Sequence, residues 1–498
     1  MSKNGEISLE KCQKWRKIPW KSVKNICFLS WIMQKLVSLR IEIQVFMINR
    51  KAYNFLRDFF ANDKRALLVT GARQVGKTFA IRTIAKEVFE QVIEINFIEQ
   101  PDAVELFSQP KSAEDILMRL SAFIRRKLVP GKTLIFFDEV QECDEMVTAI
   151  KFLVDEGSYR YVMSGSLLGV ELKDLRSVPV GYMGELEMYP LDLEEFATAI
   201  GIGDEALEHL KDRFERQIPV DNFIHQRMLE LVTLYMIVGG MPSAVQKYLD
   251  TNNLRGVINE QRDIIRTYKR DITKYEKERK LQVEEIYNLI PSELNAKNKR
   301  FILKELSEKA RFARYESGFL WLKDAGVALP AYNVEVPKMP LLLNKQRNLF
   351  KLFLNDVGLL AAMYGGDIQV RLLNNLNVNY GAAFENLVAQ ELYAHGFAID
   401  HDLFYFNSKK QGELDFVVEH HGEVLPIEVK SGKGFERHRA LANIMGNEEY
   451  AIPKAMVFCQ ENVQVKERLV YLPIYMTMFL LHEKDEDLTY HFDLTGLN

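Results

Sequence analysis

Cysteine is scarce in this chain: four residues in 498, at Cys12, Cys27, Cys143 and Cys459. They lie far apart and make no C-x-x-C pair, which argues against a disulfide framework and a cysteine zinc site and fits a reducing, cytoplasmic setting. A charge excess of one sign is missing too. The formal net charge of −4 supplies no global basic field to recruit nucleic acid, so any such contact has to come from a local patch. There is also no clean apolar run of membrane length. The nearest stretch, Ile26 to Ile48, is interrupted by Lys35, Arg40 and Glu42. It is too charged for a comfortable span, and too far from the N-terminus and too poorly flanked for a signal peptide. No membrane partner is expected.

What is present is a globular composition, 47% apolar, on a length that suggests about three domains. Residues 1–46 stand apart. They hold Trp15, Trp20 and Trp31, three of the four tryptophans, together with two of the cysteines and many lysines. A sharper pattern begins at Met47-Ile48-Asn49-Arg50-Lys51 and continues into an amphipathic helix through Leu56 and Phe60. Met47 is therefore expected to be the biological start, with residues 1–46 an extension from a misplaced start codon. The alternative is an amphipathic anchor.

The strongest local signal is Gly71-Ala72-Arg73-Gln74-Val75-Gly76-Lys77-Thr78, which fits G-x-x-x-x-G-K-[ST] at every fixed position. Ala66-Leu67-Leu68-Val69-Thr70 leads into it as a buried strand, and a helical pattern from Phe79 to Val88 leads out. A loop between strand and helix presents backbone N–H groups at a positive helix end, which suits a triphosphate. Lys77 would reach the β- and γ-phosphates, and the Thr78 hydroxyl would ligate Mg²⁺.

Binding a nucleotide is not hydrolysing it; that takes a second set of acids. Thr133-Leu134-Ile135-Phe136-Phe137-Asp138-Glu139 reads as a central parallel strand, buried on both faces, that ends in two carboxylates. Ligands bind at that end of such sheets. Asp138 is expected beside the Mg²⁺, and Glu139 as the general base for water. Tyr161-Val162-Met163-Ser164-Gly165-Ser166 reads as another strand, with Ser164 and Ser166 as candidates to sense the γ-phosphate; a plain strand-to-loop turn is the alternative. Val92 to Phe97 supplies a further strand, expected between the two motif strands.

The motifs GARQVGKT, LIFFDEVQE and YVMSGS, in this order, resemble a large prokaryotic group of AAA-type ATPases in which the ATPase precedes a C-terminal domain of uncharacterised function. The resemblance runs from about Met47 to the C-terminal region. It implies ATP as the nucleotide, and a homo-oligomer in which an arginine after the sensor strand reaches a neighbouring subunit's γ-phosphate. Here that segment is Val178-Pro179-Val180-Gly181-Tyr182-Met183-Gly184, with Tyr182 at the corresponding position and Arg176 the nearest upstream arginine.

Asp192 and Glu195 have capping-box spacing before a helix, with Asp in place of the usual Ser or Thr. Helical patterns then dominate to about residue 325. Gly239-Gly240-Met241-Pro242 breaks them as a helix-terminating turn, and the resemblance implies a lid-like helical region there, behind the nucleotide. Residues 282–335 read as a winged helix: Val283 to Ile290 stopped by Pro291, then Leu303 to Ala310, then Tyr315 to Asp324 closed by Gly326, with Ala331 to Val336 as the wing. Between Leu294 and Tyr315, seven basic residues (Lys297, Lys299, Arg300, Lys304, Lys309, Arg311, Arg314) face only Glu305 and Glu308. Such a patch fits a DNA backbone; a solvated helix face is the alternative.

A second constellation comes late. Gly381 to about Ala394 is expected as a helix with an apolar stripe of Phe384, Leu387, Val388 and Leu392 and with Glu385 on another face. Gly412-Glu413-Leu414-Asp415-Phe416-Val417-Val418 and Leu425-Pro426-Ile427-Glu428-Val429-Lys430 then read as a hairpin around His421-Gly422. Glu428 and Lys430 share a face, and Asp415 can face them. Two carboxylates to hold Mg²⁺ or Mn²⁺, a lysine to position or deprotonate water, and Glu385 to complete the metal shell make a kit for phosphodiester hydrolysis. The order helix-Glu, strand-Asp, strand-Glu-x-Lys resembles the PD-(D/E)XK nuclease-like fold, with Leu414 where the eponymous proline would stand.

The expected architecture is thus α/β: an extension at 1–46, a P-loop AAA-type ATPase with a central parallel sheet at 47–215, a helical lid and winged-helix-like region at 216–375, and a PD-(D/E)XK nuclease-like domain at 376–498. The expected function is an ATPase that couples ATP to a nuclease-like domain acting on or binding DNA. The alternative is an ATP-gated switch or scaffold whose nuclease-like domain is inactive and binds a partner.

Overall fold

Five short strands form the first sheet: β1 (Ala66–Thr70), β2 (Gln91–Asn96), β3 (Thr133–Asp138), β4 (Arg160–Ser164) and β5 (Met183–Glu187). The computed structural model describes residues 48–110, 112–165, 181–275, 280–296, 300–301, 312–365, 381–399, 402–432 and 434–482. The N-terminal extension, Ser166, Arg176, the expected helix Leu303–Ala310 and most of the basic patch (Lys297, Lys299, Lys304, Lys309, Arg311) lie outside the described residues.

The sheet order is β2-β3-β4-β1-β5, and every pairing is parallel. The central parallel sheet is as expected; the place of β2 is not. The strand between β1 and β3 is β4, and β2 sits at the sheet edge beyond β3. Chain order does not fix spatial order in a parallel sheet, because each crossover is free to step over a neighbour. β3 is buried along its whole length, the signature of a strand covered on both faces. One face packs Phe97, Phe107 and Phe137, with ring centroids 5.5–6.1 Å apart, against the helices Ala113–Ile124 and Asp144–Glu156. The helix Lys77–Val88 buries Ala80, Ile81, Ile84 and Ala85, one stripe of a 3.6-residue repeat.

Helices then run from Leu193 to Asn295: Leu193–Ala199, Asp204–Glu215, Asn222–Val238, Pro242–Thr251, Leu254–Tyr275 and Lys280–Asn295. Pro291 does not stop its helix; it lies inside Lys280–Asn295, where Pro291 is itself buried. Tertiary packing there outweighs the lost hydrogen bond. Among the described residues no single helix is long and apolar enough to cross a membrane.

The second sheet has eight strands in the order β12-β13-β11-β10-β9-β8-β6-β7. They are β6 (Ala328–Val334), β7 (Lys345–Leu354), β8 (Leu403–Ser408), β9 (Gly412–His420), β10 (Glu423–Val429), β11 (Ala455–Cys459), β12 (Gln464–Lys466) and β13 (Leu469–Pro473). Of the segment expected as a wing, Ala331 to Val336, the part Ala331 to Val334 belongs to β6. It is buried throughout and hydrogen-bonded on both edges, antiparallel to β7 and parallel to β8. A wing projects into solvent; Ala328-Leu329-Pro330-Ala331-Tyr332 is too apolar for that and is absorbed as an interior strand. The helix Gly381–Ala394 leads into β8, β9 and β10, which pair antiparallel; the helix Arg439–Met445 follows, and β11 returns parallel to β10. This central helix is buried on every side from Ala382 to Tyr393, not along one apolar stripe, because its polar faces carry Glu385, Asn386, Gln390 and Glu391 into contacts with both halves of the molecule.

Candidate functional site

The C-terminal ends of β1 to β4 meet at one carboxylate. Register pairs Asn96 with Asp138 and Asp138 with Ser164 across three adjacent strands. Asp138 is only 4% exposed, and its oxygens are surrounded by donors. Thr78 Oγ1 and Asn96 Nδ2 each donate to Oδ2 at 3.2 Å, while the Glu139 backbone N–H, at 3.1 Å, and the Ser164 hydroxyl donate to Oδ1. Burial pushes the Asp138 carboxyl up from its ordinary range, against the lowering effect of the Ser164 hydrogen bond. Ser164, expected as a phosphate sensor, is fully buried with its hydroxyl on this carboxylate.

The phosphate loop runs from the end of β1 into the helix Lys77–Val88. Gly71 has φ +125°, and a Cβ there would stand 2.1 Å from the Met188 carbonyl oxygen; the backbone beyond β5 approaches too closely for any side chain. Lys77 is 7% exposed. Its ammonium donates to Gly71 O and Ala72 O, each at 2.9 Å, folded over the loop where phosphate oxygens would compete for it. Burial pulls its pKa down to about 8, partly countered by Glu139 and Asp138. Glu139 follows with φ +56°, and Gln141 Nε2 donates to its Oε2 at 2.6 Å. An ammonium, a hydroxyl and a buried acid at a helix start are the donor set that a nucleotide triphosphate with Mg²⁺ requires, so the residues fit that ligand.

The loop is braced from behind. Arg50, 8% exposed, donates from Nη1 to Val75 O at 3.0 Å, from Nη2 to Tyr189 O at 2.7 Å and from Nε to Glu195 Oε2 at 3.0 Å. Glu195 closes the capping box with Asp192. Arg73 Nη1 pairs with Asp271 Oδ1 at 2.6 Å, and Tyr268 OH donates to Arg73 O at 3.1 Å, tying the loop to the helix Leu254–Tyr275. Gln74 sits at the loop's apex with φ +69°. Tyr182 lies before β5, its carbonyl accepting from Ala66 N at 2.9 Å, at the sheet end remote from the loop.

The C-terminal acids also converge. Asp415 on β9 accepts from Val429 N at 2.8 Å beside Glu428 on β10, and Lys430 Nζ lies 2.5 Å from Glu428 Oε1. Burial, then Asp415, pushes the Glu428 carboxyl up to about 7, against Lys430 and Lys351. Glu428 Oε2 is buried without a hydrogen-bond partner. Glu385 is 2% exposed. A residue not anticipated from the sequence stands among these acids: Lys351 of β7, fully buried, with Nζ 2.7 Å from Glu413, 3.8 Å from Asp415 and 4.0 Å from Glu385. Among the described residues no group of three or more acids, histidines or cysteines is arranged to hold a metal ion.

Asn96, Arg50 and Lys351 were the residues sequence reasoning missed. Asn96 had one faint signal, a polar residue closing an apolar strand. Arg50 and Lys351 had none, since an isolated basic residue reads as solvated until burial is known.

A polar network joins the two regions. Glu391 Oε1 accepts from Leu193 N at 3.0 Å; His395 Nε2 lies 3.6 Å from Asp192 and 3.7 Å from Glu391; Gln390 Nε2 donates to Tyr235 OH at 2.6 Å, and Tyr235 OH donates to Leu191 O at 2.5 Å. Burial pushes Glu391 up. It pushes Asp192 the same way, but Lys51 and His395 outweigh it and hold Asp192 low.

A family described as "AAA domain" matches residues 63–197. Those residues form an AAA-type P-loop domain. Two families described as domains of unknown function, DUF8612 and DUF4143, match residues 229–369 and 380–476. An uncharacterised protein of Methanocaldococcus jannaschii is 23% identical over 404 residues, 80% of this chain and 82% of that one. Among solved structures, the Walker-type ATPase of Pyrococcus abyssi is similar at 14% identity and TM-score 0.39, over 64% of this chain and 96% of its own. The Orc1 protein of Aeropyrum pernix, in complex with DNA, is similar at 14% identity and TM-score 0.25, over 65% and 93%.

Proposed function

We propose that this protein is an ATPase whose nucleotide state is transmitted to its C-terminal α/β domain, with DNA as the partner that domain acts on or binds. The observation that carries the reading is the convergence of Lys77, Thr78, Asp138 and Glu139 at adjacent strand ends of the AAA-type domain. Thr78 and Asp138 would hold Mg²⁺, which when bound neutralises charge on the β- and γ-phosphates. Lys77 would exchange its loop carbonyls for phosphate oxygens. Glu139, oriented by Gln141, would accept the proton of the attacking water. Transmission is supported by Arg50, which touches the loop at Val75 and the capping box at Glu195, and by Asp192, which lies beside His395 on the C-terminal side.

The helix, antiparallel triplet, helix and parallel strand from Gly381 to Cys459 support a PD-(D/E)XK-like fold, in which Asp415, Glu428 and Lys430 would act on a phosphodiester. A cavity of about 550 Å³ lined in part by Arg262, Arg266 and Lys269 supports contact with a phosphate backbone. The second reading, an ATP-gated switch whose C-terminal domain binds without cutting, is favoured by Lys351, whose ammonium stands among the acids that would hold a metal.

The test is phosphate release by the purified chain, run beside cleavage of plasmid, linear and single-stranded DNA in Mg²⁺ or Mn²⁺, with Lys77→Ala and Lys430→Ala. Cleavage lost in Lys430→Ala supports the nuclease reading, and its loss in Lys77→Ala as well supports coupling to ATP. ATP turnover without cleavage supports the switch. No turnover by the unaltered chain sinks the ATPase reading.

A further inference from the structure

The C-terminal acids pose an electrostatic problem. Glu385, Glu413, Asp415 and Glu428 crowd one place on the sheet, and three of them are less than a tenth exposed or close to it: Glu385 at 2%, Glu428 at 6% and Asp415 at 9%. Buried carboxylates need a cation. A divalent metal would be one answer, held by oxygens at about 2.0 to 2.6 Å. The structure has another. Lys351 is 0% exposed, and its Nζ is within 4.0 Å of Glu385, Glu413 and Asp415, with the Tyr405 ring closing over it at 4.9 Å to the centroid. A fully buried lysine is rare unless paired; the Lys351 ammonium makes no hydrogen bond among the described residues, and each ion pair it makes there is to this cluster.

We infer that the Lys351 ammonium is a built-in cation occupying the place a divalent metal would take, so that the charge of the C-terminal acid cluster is met in part by the chain itself and the cluster is closed to Mg²⁺ and Mn²⁺. An ammonium seated among these carboxylates competes with a divalent ion for the same oxygens and repels it by charge. Lys351 is delivered by β7, an edge strand of the sheet that comes from upstream of the helix carrying Glu385. The cluster is therefore sealed by a segment outside the helix–hairpin unit that provides its acids. Lys430 stays paired to Glu428 as a second fixed charge, not as a group that activates a metal-bound water, so the inference sides with the reading in which the C-terminal domain binds without cutting. The inference rests on the geometry of the acids and not on ATP turnover, so loss of the ATPase reading would leave it standing.

Mn²⁺ binding to the nucleotide-free full chain, followed by the loss of the free-ion electron paramagnetic resonance signal, tests this directly. Four proteins are compared: unaltered, Asp415→Asn, Lys351→Met, and Lys351→Met with Asp415→Asn. The unaltered chain and Asp415→Asn should bind Mn²⁺ alike, since any ion held near Thr78 and Asp138 is common to both. Lys351→Met should gain a site at least about tenfold tighter, the step that corresponds to about 1.4 kcal/mol, and the double variant should lose it. Asp415-dependent Mn²⁺ binding by the unaltered chain would overturn the inference, as would a folded Lys351→Met that gains no site. Should Lys351→Met not fold, the unaltered chain against Asp415→Asn still decides, and Lys351→Arg, which keeps the cation, should fold and gain nothing.

Discussion

At the scale of single residues, the two sites differ in how they handle buried charge. Asp138 is surrounded by neutral donors, Thr78, Asn96 and Ser164, and by one backbone N–H. It can therefore accept a metal without first giving up an ion pair. Glu139 accepts from the Gln141 amide at 2.6 Å. Glu139→Gln should reduce ATP turnover by about 10²- to 10⁴-fold, the usual worth of a general base, while a fluorescent nucleotide still binds; an equal loss of binding would assign Glu139 to the ligand and not to the water. A different carboxylate reports on folding. Asp356 is fully buried, and burial lifts its pKa from 3.8 to about 6, against hydrogen bonds from Gly240 N and Leu359 N. The folded form then holds a proton that the unfolded chain loses first. Its stabilising contribution is complete below about pH 4, falls as pH rises toward 6, and is flat above. Across that window the unaltered chain should lose on the order of 3 kcal/mol relative to Asp356→Asn in urea unfolding, and parallel pH profiles would show that Asp356 keeps an ordinary pKa.

At the scale of elements, the phosphate loop owes its shape to parts far away in sequence. Arg50 spans Val75 O, Tyr189 O and Glu195, linking the first described helix, the loop and the capping box. Arg50→Ala leaves Glu195 buried without its guanidinium, a change that costs about 3 to 5 kcal/mol. Thermal unfolding should fall accordingly and ATP affinity with it; unchanged affinity in a destabilised protein would mean that the brace serves folding alone. The turn at Gly239-Gly240 is the second case. A Cβ on Gly240 would stand 2.0 Å from Leu191 O, and backbone cannot yield as a flexible side chain can. Gly240→Ala should therefore drop the melting temperature sharply or abolish folding, whereas Gly203→Ala, which meets nothing within 4 Å, should leave it nearly unchanged. Capping-box spacing at Asp192 and Glu195 was legible in the sequence, and the box is formed. That Glu195 also receives Arg50 was not legible, because a cap is a local contact and the ion pair joins residues 145 apart.

At the scale of the molecule, the helix Gly381–Ala394 is the joint. Its Gln390 and Glu391 reach Tyr235 and the backbone of Leu193, and Asn386 receives the backbone N–H of Leu354 at 2.8 Å. One helix thus touches the ATPase side, the helical middle and the second sheet. Binding of a non-hydrolysable ATP analogue should alter amide hydrogen exchange in this helix, and Lys77→Ala should abolish the change. Exchange that responds only around the phosphate loop would show that the joint is a passive scaffold. His395→Phe, which removes the imidazole beside Asp192 and Glu391, should abolish the same exchange change while a fluorescent nucleotide still binds.

The sequence by itself determined the elements whose signal is local. The strands around Leu68, Phe136 and Met163, the loop Gly71–Thr78, and the hairpin carrying Asp415 and Glu428 follow from apolar runs, turn residues and fixed spacings. These express short-range sterics and hydrogen bonding that neighbouring residues settle among themselves. Tertiary structure alone decided the rest: β4 between β1 and β3, the expected wing as an interior strand, the amphipathic stripe of Gly381–Ala394 as a helix buried all round, and Lys351 among the acids. Each of these depends on which surfaces meet. Burial, and with it the meaning of a charge, is a property of the pair of surfaces and is written in neither segment alone.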